Sequence, residues 1–153
     1  MVTASIYFDT GGEFLIIPES KNEEGWWTEV NEPERLQWDG TSLVALGEKV
    51  LKSLAVSASQ IGPPRGQISA SMLAAGAKSY RAFAKTRQCV SIESVDDEHC
   101  LHVTFLRRDA NFMYSASTDD PADWTVVLPL DASLEAVGGA VIQVLRAGGV
   151  SNV

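Results

Sequence analysis

The chain has 153 residues, 45% of them hydrophobic, with a formal net charge of −8 and a pI near 4.7. That length suits one domain, 1–153, with a core that needs no staples, and the hydrophobic share excludes a disordered chain. The acidic balance argues against direct nucleic-acid binding, which needs a basic footprint; it suits solubility or a basic protein partner.

Ile6-Tyr7-Phe8 and Phe14-Leu15-Ile16-Ile17 flank Asp9-Thr10-Gly11-Gly12 and read as two strands of a hairpin. Pro18 is expected to end the second. Glu19 to Glu34 is polar, contains Gly25 and Pro33, shows no periodicity and reads as a long loop. Residues 42–57 read as an amphipathic helix, with Leu43, Leu46, Val50, Leu51 and Leu54 on one face and Thr41 or Ser42 as its cap. Gly62-Pro63-Pro64-Arg65-Gly66 breaks the chain. Residues 71–85 are helical in pattern, with Gly76 a point of division and Ser79 a second cap. Strands are expected at about 88–95, 99–106, 112–117 and 124–130. A last helix spans about 133–147 and ends at Gly148-Gly149.

Two stretches resemble each other. Ser42-Leu43-Val44-Ala45-Leu46-Gly47 through Leu54 aligns with Ser133-Leu134-Glu135-Ala136-Val137-Gly138 through Leu145, and each follows a strand-like run. The pattern implies two related strand-helix units whose helices lie on a shared sheet; amphipathic patterning alone is the alternative. A glycine inside a helix costs up to about 1 kcal/mol relative to alanine, so Gly47 and Gly138 suggest close approach of helix backbone to sheet. The expected fold is α+β: a mainly antiparallel sheet of six or more strands packed by two or three helices.

Cys89 and Cys100 are the only cysteines. Matching apolar faces in the 89–106 hairpin pairs Val90 with Phe105 and Ile92 with Val103. Cys89 then lies opposite Leu106 and Cys100 opposite Val95, with the sulfurs roughly 20 Å apart, whereas a disulfide needs Cα atoms within about 7 Å. Both are expected as free thiols. No stretch of about 18 apolar residues is present, and Met1-Val2-Thr3-Ala4-Ser5 lacks the features of a signal peptide. The expected location is the cytoplasm, without a membrane partner.

Motifs for catalysis are weak. Cys100 and His102 share a strand face, but i and i+2 positions stand roughly 6.5–7 Å apart, too far for a direct hydrogen bond. His99 and His102 are expected to face opposite ways, so no metal is called for, and no phosphate loop or nucleophile elbow is present. Neither a cofactor nor a catalytic residue is expected. The basic residues Lys78, Arg81, Lys85 and Arg87 read as a solvated helix face.

The strongest candidate for function is 19–34, with six glutamates against Lys21 and the pair Trp26-Trp27. Carboxylates around aromatic anchors suit capture of a basic protein surface: the charges speed encounter and an aromatic fills a pocket. Glu23, Glu24, Trp26, Trp27 and Glu29 are the expected contacts, with Asp119, Asp120 and Asp123 a second acidic surface. Alternatively, one tryptophan folds into the core while the acids are merely solvated.

Ser79-Tyr80-Arg81-Ala82-Phe83-Ala84-Lys85 followed by Cys89-Val90-Ser91-Ile92-Glu93, and the ending Ser133-Leu134-Glu135-Ala136-Val137-Gly138, resemble segments of immunity proteins of bacterial contact-dependent growth inhibition systems. The resemblance spans about 36–147 and is loosest in its first third. It implies a non-catalytic antitoxin that binds the C-terminal toxin domain of a large surface protein, often a nuclease with a basic cleft. It assigns no contact residue. The other readings are a small enzyme built on carboxylates and His102, and a generic protein-binding adaptor.

Overall fold

The computed structural model describes all residues, Met1–Val153. Its strands are β1 (Val2–Asp9), β2 (Glu13–Lys21), β3 (Trp27–Glu29), β4 (Glu34–Gln37), β5 (Arg87–Val95), β6 (Cys100–Arg108), β7 (Tyr114–Ser115) and β8 (Thr125–Pro129). Its helices are α1 (Leu43–Ser59), α2 (Ala70–Ala75), α3 (Tyr80–Lys85) and α4 (Leu134–Ala147). All strand pairs are antiparallel, in the order β3-β2-β1-β5-β6-β7, with β4 also on β2 and β8 also on β6. The expected α+β class and antiparallel sheet are therefore observed, with four helices because Gly76, in the left-handed conformation, ends α2 and Ser79 caps α3.

Strand alternation sorts the side chains onto two faces. Ala4, Ile6, Phe8, Phe14, Ile16, Val90, Ile92, Leu101, Val103 and Phe105 point to α1 and α4 and form the main core with Leu46, Val50, Leu54, Val137, Val141 and Leu145. The other face carries Tyr7, Leu15, Ile17 and Cys89 beneath Ala70, Phe83 and Ala84 of α2 and α3. The β5–β6 register pairs Val90 with Phe105, Ile92 with Val103, Cys89 with Leu106 and Cys100 with Val95, as the apolar pattern predicts. Both cysteines are free, Cys89 buried and Cys100 partly exposed. Without prior reduction, a thiol reagent is therefore expected to label Cys100 in the native protein and Cys89 only on unfolding. An intact mass two hydrogens short would contradict this.

The strand-helix units stand at opposite edges: β4 leads into α1, and β8 leads into α4. The helix glycines serve a different contact from the one expected. A Cβ on Gly47 would lie 1.9 Å from the Leu134 carbonyl oxygen, and one on Gly138 would lie 2.1 Å from that of Leu43. The close approach is thus of helix to helix, not of helix to sheet, and it is reciprocal.

Three other expectations are corrected. Pro18 does not end β2: its carbonyl accepts from the Val30 N–H at 2.8 Å, and it sits between the stretch of β2 paired with β4 and the stretch paired with β3. Its nitrogen faces that outer edge, where no ladder bond is lost. Residues 19–34 are not a long loop, because Asn22 closes a tight turn and β3 pairs Trp27 with Lys21 and Glu29 with Glu19. At α1 neither Thr41 nor Ser42 caps through its side chain; Asp39 accepts from the Thr41 and Ser42 backbone N–H groups at 2.8 and 2.9 Å. The Ser42 hydroxyl, which also donates to Asp39, together with those two bonds holds its carboxyl well below the ordinary range.

Candidate interaction surface

The β2–β3 hairpin presents its tip because Asn22 organises it. Asn22 Oδ1 accepts from the Glu24 and Trp26 N–H groups at 3.0 and 2.9 Å, and the Asn22 N–H donates to the Trp26 carbonyl at 2.8 Å. Gly25 supplies the positive φ of 85° that the turn needs. Glu23 and Glu24 are exposed, and Trp26 is 53% exposed with the Arg65 guanidinium 4.3 Å from its ring centre. Trp27 is half-buried, with the Lys21 ammonium 5.5 Å from its ring. Neither tryptophan enters the core.

The segment after α1 lies against this hairpin. Gly62 donates to the Lys21 carbonyl at 3.0 Å, and Thr28 Oγ1 donates to the Pro63 carbonyl at 2.8 Å. A Cβ at Gly62 would meet the Ser20 carbonyl oxygen at 2.3 Å, so only glycine admits this approach. A cleft of about 200 Å³ results, lined by Asn22, Glu23, Glu24, Ile61, Gly62 and Pro64. Ile61 and Ile68 are 70% and 65% exposed, so apolar side chains and carboxylates share one surface. In the sequence, 62–66 shows only as a breaker, and the signal that marks it as surface is the pair of isoleucines, Ile61 and Ile68, on either side.

The remaining predicted residues are placed differently. Glu29 is half-buried and engaged inside the fold: its carboxylate accepts from Tyr7 Oη at 3.1 Å, Ser71 N at 2.8 Å and Ser71 Oγ at 2.9 Å, fastening the start of α2. Asp120 accepts from Arg107 and from the Ser117 N–H at 2.7 Å, and its side chain is only 9% exposed. Asp119 and Asp123 are exposed. These aspartates follow β7, at the end of the strand order opposite β3, so the two acidic surfaces do not merge.

Glu19 stands opposite Glu29 in register, accepts from Ser5 Oγ and makes no ion pair. Burial, reinforced by the Glu29 charge against the opposing Ser5 hydrogen bond, raises its pKa. The ionised carboxylate therefore opposes folding above that raised value, and the opposition fades as pH falls through it toward the ordinary range of about 4.3. Glu19→Gln is expected to raise the urea midpoint at pH 7 and to lose that advantage near pH 4. A variant less stable than wild type at pH 7 would show that the ionised form is needed.

On the other side of the sheet from α1 and α4, Cys100 Sγ lies 3.2 Å from His102 Nε2, which itself lies 2.7 Å from Glu98 Oε2. This corrects the expectation that Cys100 and His102 are too far apart to touch: strand spacing separates Cα atoms, while the two side-chain ends lean together. The arrangement is a poor thiol relay. Glu98 and Cys100 both meet the same ring nitrogen, whereas a relay uses the two nitrogens separately, and partial burial together with Glu98 raises the thiol pKa. A cavity of about 510 Å³ between the start of α1 and α4 is lined by Trp38, Thr41, Leu43, Ile142, Gln143 and Arg146 among others, without a carboxylate or histidine. No helix is long and apolar enough to cross a membrane.

No protein-family model matches the chain, and no curated protein matches it in sequence. Solved structures do. A protein of unknown function from Neisseria meningitidis, NMB0488, is similar with a TM-score of 0.68 over 95% of this chain and 94% of its own, at 21% identity. A chain of the CdiA-CT/CdiI toxin and immunity complex from Yersinia pseudotuberculosis is similar with a TM-score of 0.69 over 95% of each chain, at 16% identity. The chain therefore has a fold that occurs in a toxin and immunity complex, in agreement with the resemblance carried by its 79–93 and 133–138 segments.

Proposed function

We propose that this chain is a non-catalytic immunity protein that binds and neutralises the C-terminal toxin domain of a contact-dependent growth inhibition system in the cytoplasm of the producing cell. The observation that carries the reading is the match, over nearly the whole of both chains, to a component of a toxin and immunity complex. The net charge of −8 adds to it: an acidic binder suits a toxin with a basic nuclease cleft, where carboxylates take the places of phosphates. The contact surface we propose is the β2–β3 tip with the segment after α1: Glu23, Glu24 and Trp26, joined by Ile61. Trp27 flanks this surface, Glu29 supports it from within, and Asp119 with Asp123 forms the alternative surface, braced by Asp120 in its pair with Arg107.

The test is a pull-down with the product of the gene immediately upstream, followed by co-expression of the two. Capture of that product and rescue of cells from its toxicity are expected. A stable non-toxic neighbour that this chain does not bind would overturn the reading in favour of an adaptor for another cellular protein.

A further inference from the structure

Cys100 and His102 are alternate residues of β6, so their side chains fall on one side of the strand, and Glu98 reaches them from the β5–β6 turn. The turn is closed by the Glu98 N–H donating to the Val95 carbonyl at 3.1 Å, and His99 takes φ 50°, a left-handed conformation that histidine tolerates better than most residues. Glu98 Oε2, Cys100 Sγ and His102 Nε2 then form a closed triangle with edges of 2.7, 3.2 and 3.5 Å.

Protons serve such a triangle poorly. The ring nitrogen carries at most one proton and the thiol one, and the carboxylate brings none, so at most two protons are shared along three short edges. A single cation beside the triangle satisfies all three. We propose that Glu98, Cys100 and His102 bind a borderline-soft divalent transition metal ion, with Zn²⁺ as the best match.

The donor set is one sulfur, one imidazole nitrogen and one carboxylate oxygen, which zinc accepts at about 2.3, 2.0–2.1 and 2.0–2.2 Å. Tetrahedral geometry at those lengths puts the donor atoms about 3.3–3.6 Å from one another. The triangle needs to open by no more than about 0.7 Å on its shortest edge, which part-exposed side chains do by small rotations. The registered neighbours of Cys100 and His102 are Val95, Pro129, Glu93 and Val127, so no cation faces the site from the adjoining strands. Glu93, opposite His102, adds negative charge. Three protein donors leave a fourth position for water or for a donor from a bound partner. The site is independent of the acidic hairpin tip and does not rest on the toxin-binding reading.

The full chain, reduced and stripped with a chelator, is titrated with Zn²⁺ by calorimetry and with Co²⁺ by absorption. One metal ion per chain is expected, with a thiolate-to-cobalt charge-transfer band that survives Cys89→Ser and disappears in Cys100→Ser. His102→Ala is expected to weaken zinc binding more than about a hundredfold, beyond the roughly 10–100-fold effect of a typical outer-sphere change, while His99→Ala leaves it unchanged. A readout on the wild type needs no variant: saturating Zn²⁺ is expected to slow alkylation of Cys100 at least tenfold. Absence of stoichiometric binding, alkylation that zinc does not slow, or affinity lost in His99→Ala but retained in Cys100→Ser would each overturn the assignment.

Discussion

Gly138→Ala is expected to destabilise the protein by about 1–3 kcal/mol or more, whereas Gly139→Ala, one residue along the same helix, is expected to stabilise it by up to about 1 kcal/mol. Helix propensity favours alanine equally at both positions, so the opposite signs come from packing. A Cβ at Gly138 would be 2.1 Å from the Leu43 carbonyl oxygen, and a backbone atom inside a helix cannot rotate away. At Gly139 a Cβ meets nothing within 4 Å. Gly47→Ala is expected to match Gly138→Ala, since its Cβ would lie 1.9 Å from the Leu134 carbonyl oxygen. The double variant should cost less than the two single costs combined, because helices already pushed apart by one methyl have room for the second. Urea unfolding of the four variants measures all of this. A neutral Gly138→Ala would mean that the α1–α4 crossing gives way at little cost.

That crossing marks a boundary of what the sequence can say. The glycines at matching helix positions were visible, and so was the need for a close neighbour. The neighbour was not, because the contacts join Gly47 to Leu134 and Gly138 to Leu43, far apart in the chain, and no local period records them. The β5–β6 register was legible for the opposite reason: both strands bury one face, so a slip of one residue would send Val90, Ile92, Val103 and Phe105 to the other side. The edge strands were barely legible: β4 shows only as the strand-like run Leu36-Gln37-Trp38 ahead of α1, and β3 not at all. β3 and β4 have three and four residues with no fully buried side chain among them, and they hold their places through β2. A half-exposed strand of that length carries too few alternations to stand out from a polar loop.

The same limit applies to the candidate surfaces. Composition located the acidic hairpin tip but could not separate Glu23 and Glu24, which are exposed, from Glu29, whose carboxylate is consumed by Tyr7 and Ser71. Nor could it bring Ile61 next to Glu23 and Glu24, or Arg65 over Trp26, since their approach depends on Gly62 lying against β2. At Glu98, Cys100 and His102 the alternate spacing was plain, and ideal strand distances hid the contact. Side-chain length, not backbone spacing, decides whether such groups meet.

Under the toxin-binding proposal, two variants of the hairpin tip are expected to fail in different ways. A neutraliser works at low cellular concentrations, so the wild type is expected to bind its toxin domain with nanomolar affinity or better, about −12 kcal/mol, through an interface of roughly 1,600 Å². Glu23 and Glu24 are exposed and make no side-chain ion pair, so their part is to steer a basic partner. Glu23→Lys with Glu24→Lys is expected to slow association about tenfold or more at low salt and to approach the wild-type rate near 1 M, where the Debye length has shrunk from about 10 Å to about 3 Å. Trp26 contributes area instead of charge. Its ring is already covered on one side by Arg65, so it meets a partner without reorganising. Trp26→Ala is expected to speed dissociation at every salt concentration, with a loss of about 2 kcal/mol or more if the ring fills a central pocket. Because Trp26 lies outside the core, this variant should keep the wild-type unfolding midpoint, which separates lost binding from lost fold. Stopped-flow association and surface-plasmon dissociation measure the two effects. If both variants bind and protect cells like wild type, the hairpin tip is not the contact surface, and Asp119 with Asp123 at the opposite edge of the sheet becomes the next place to substitute.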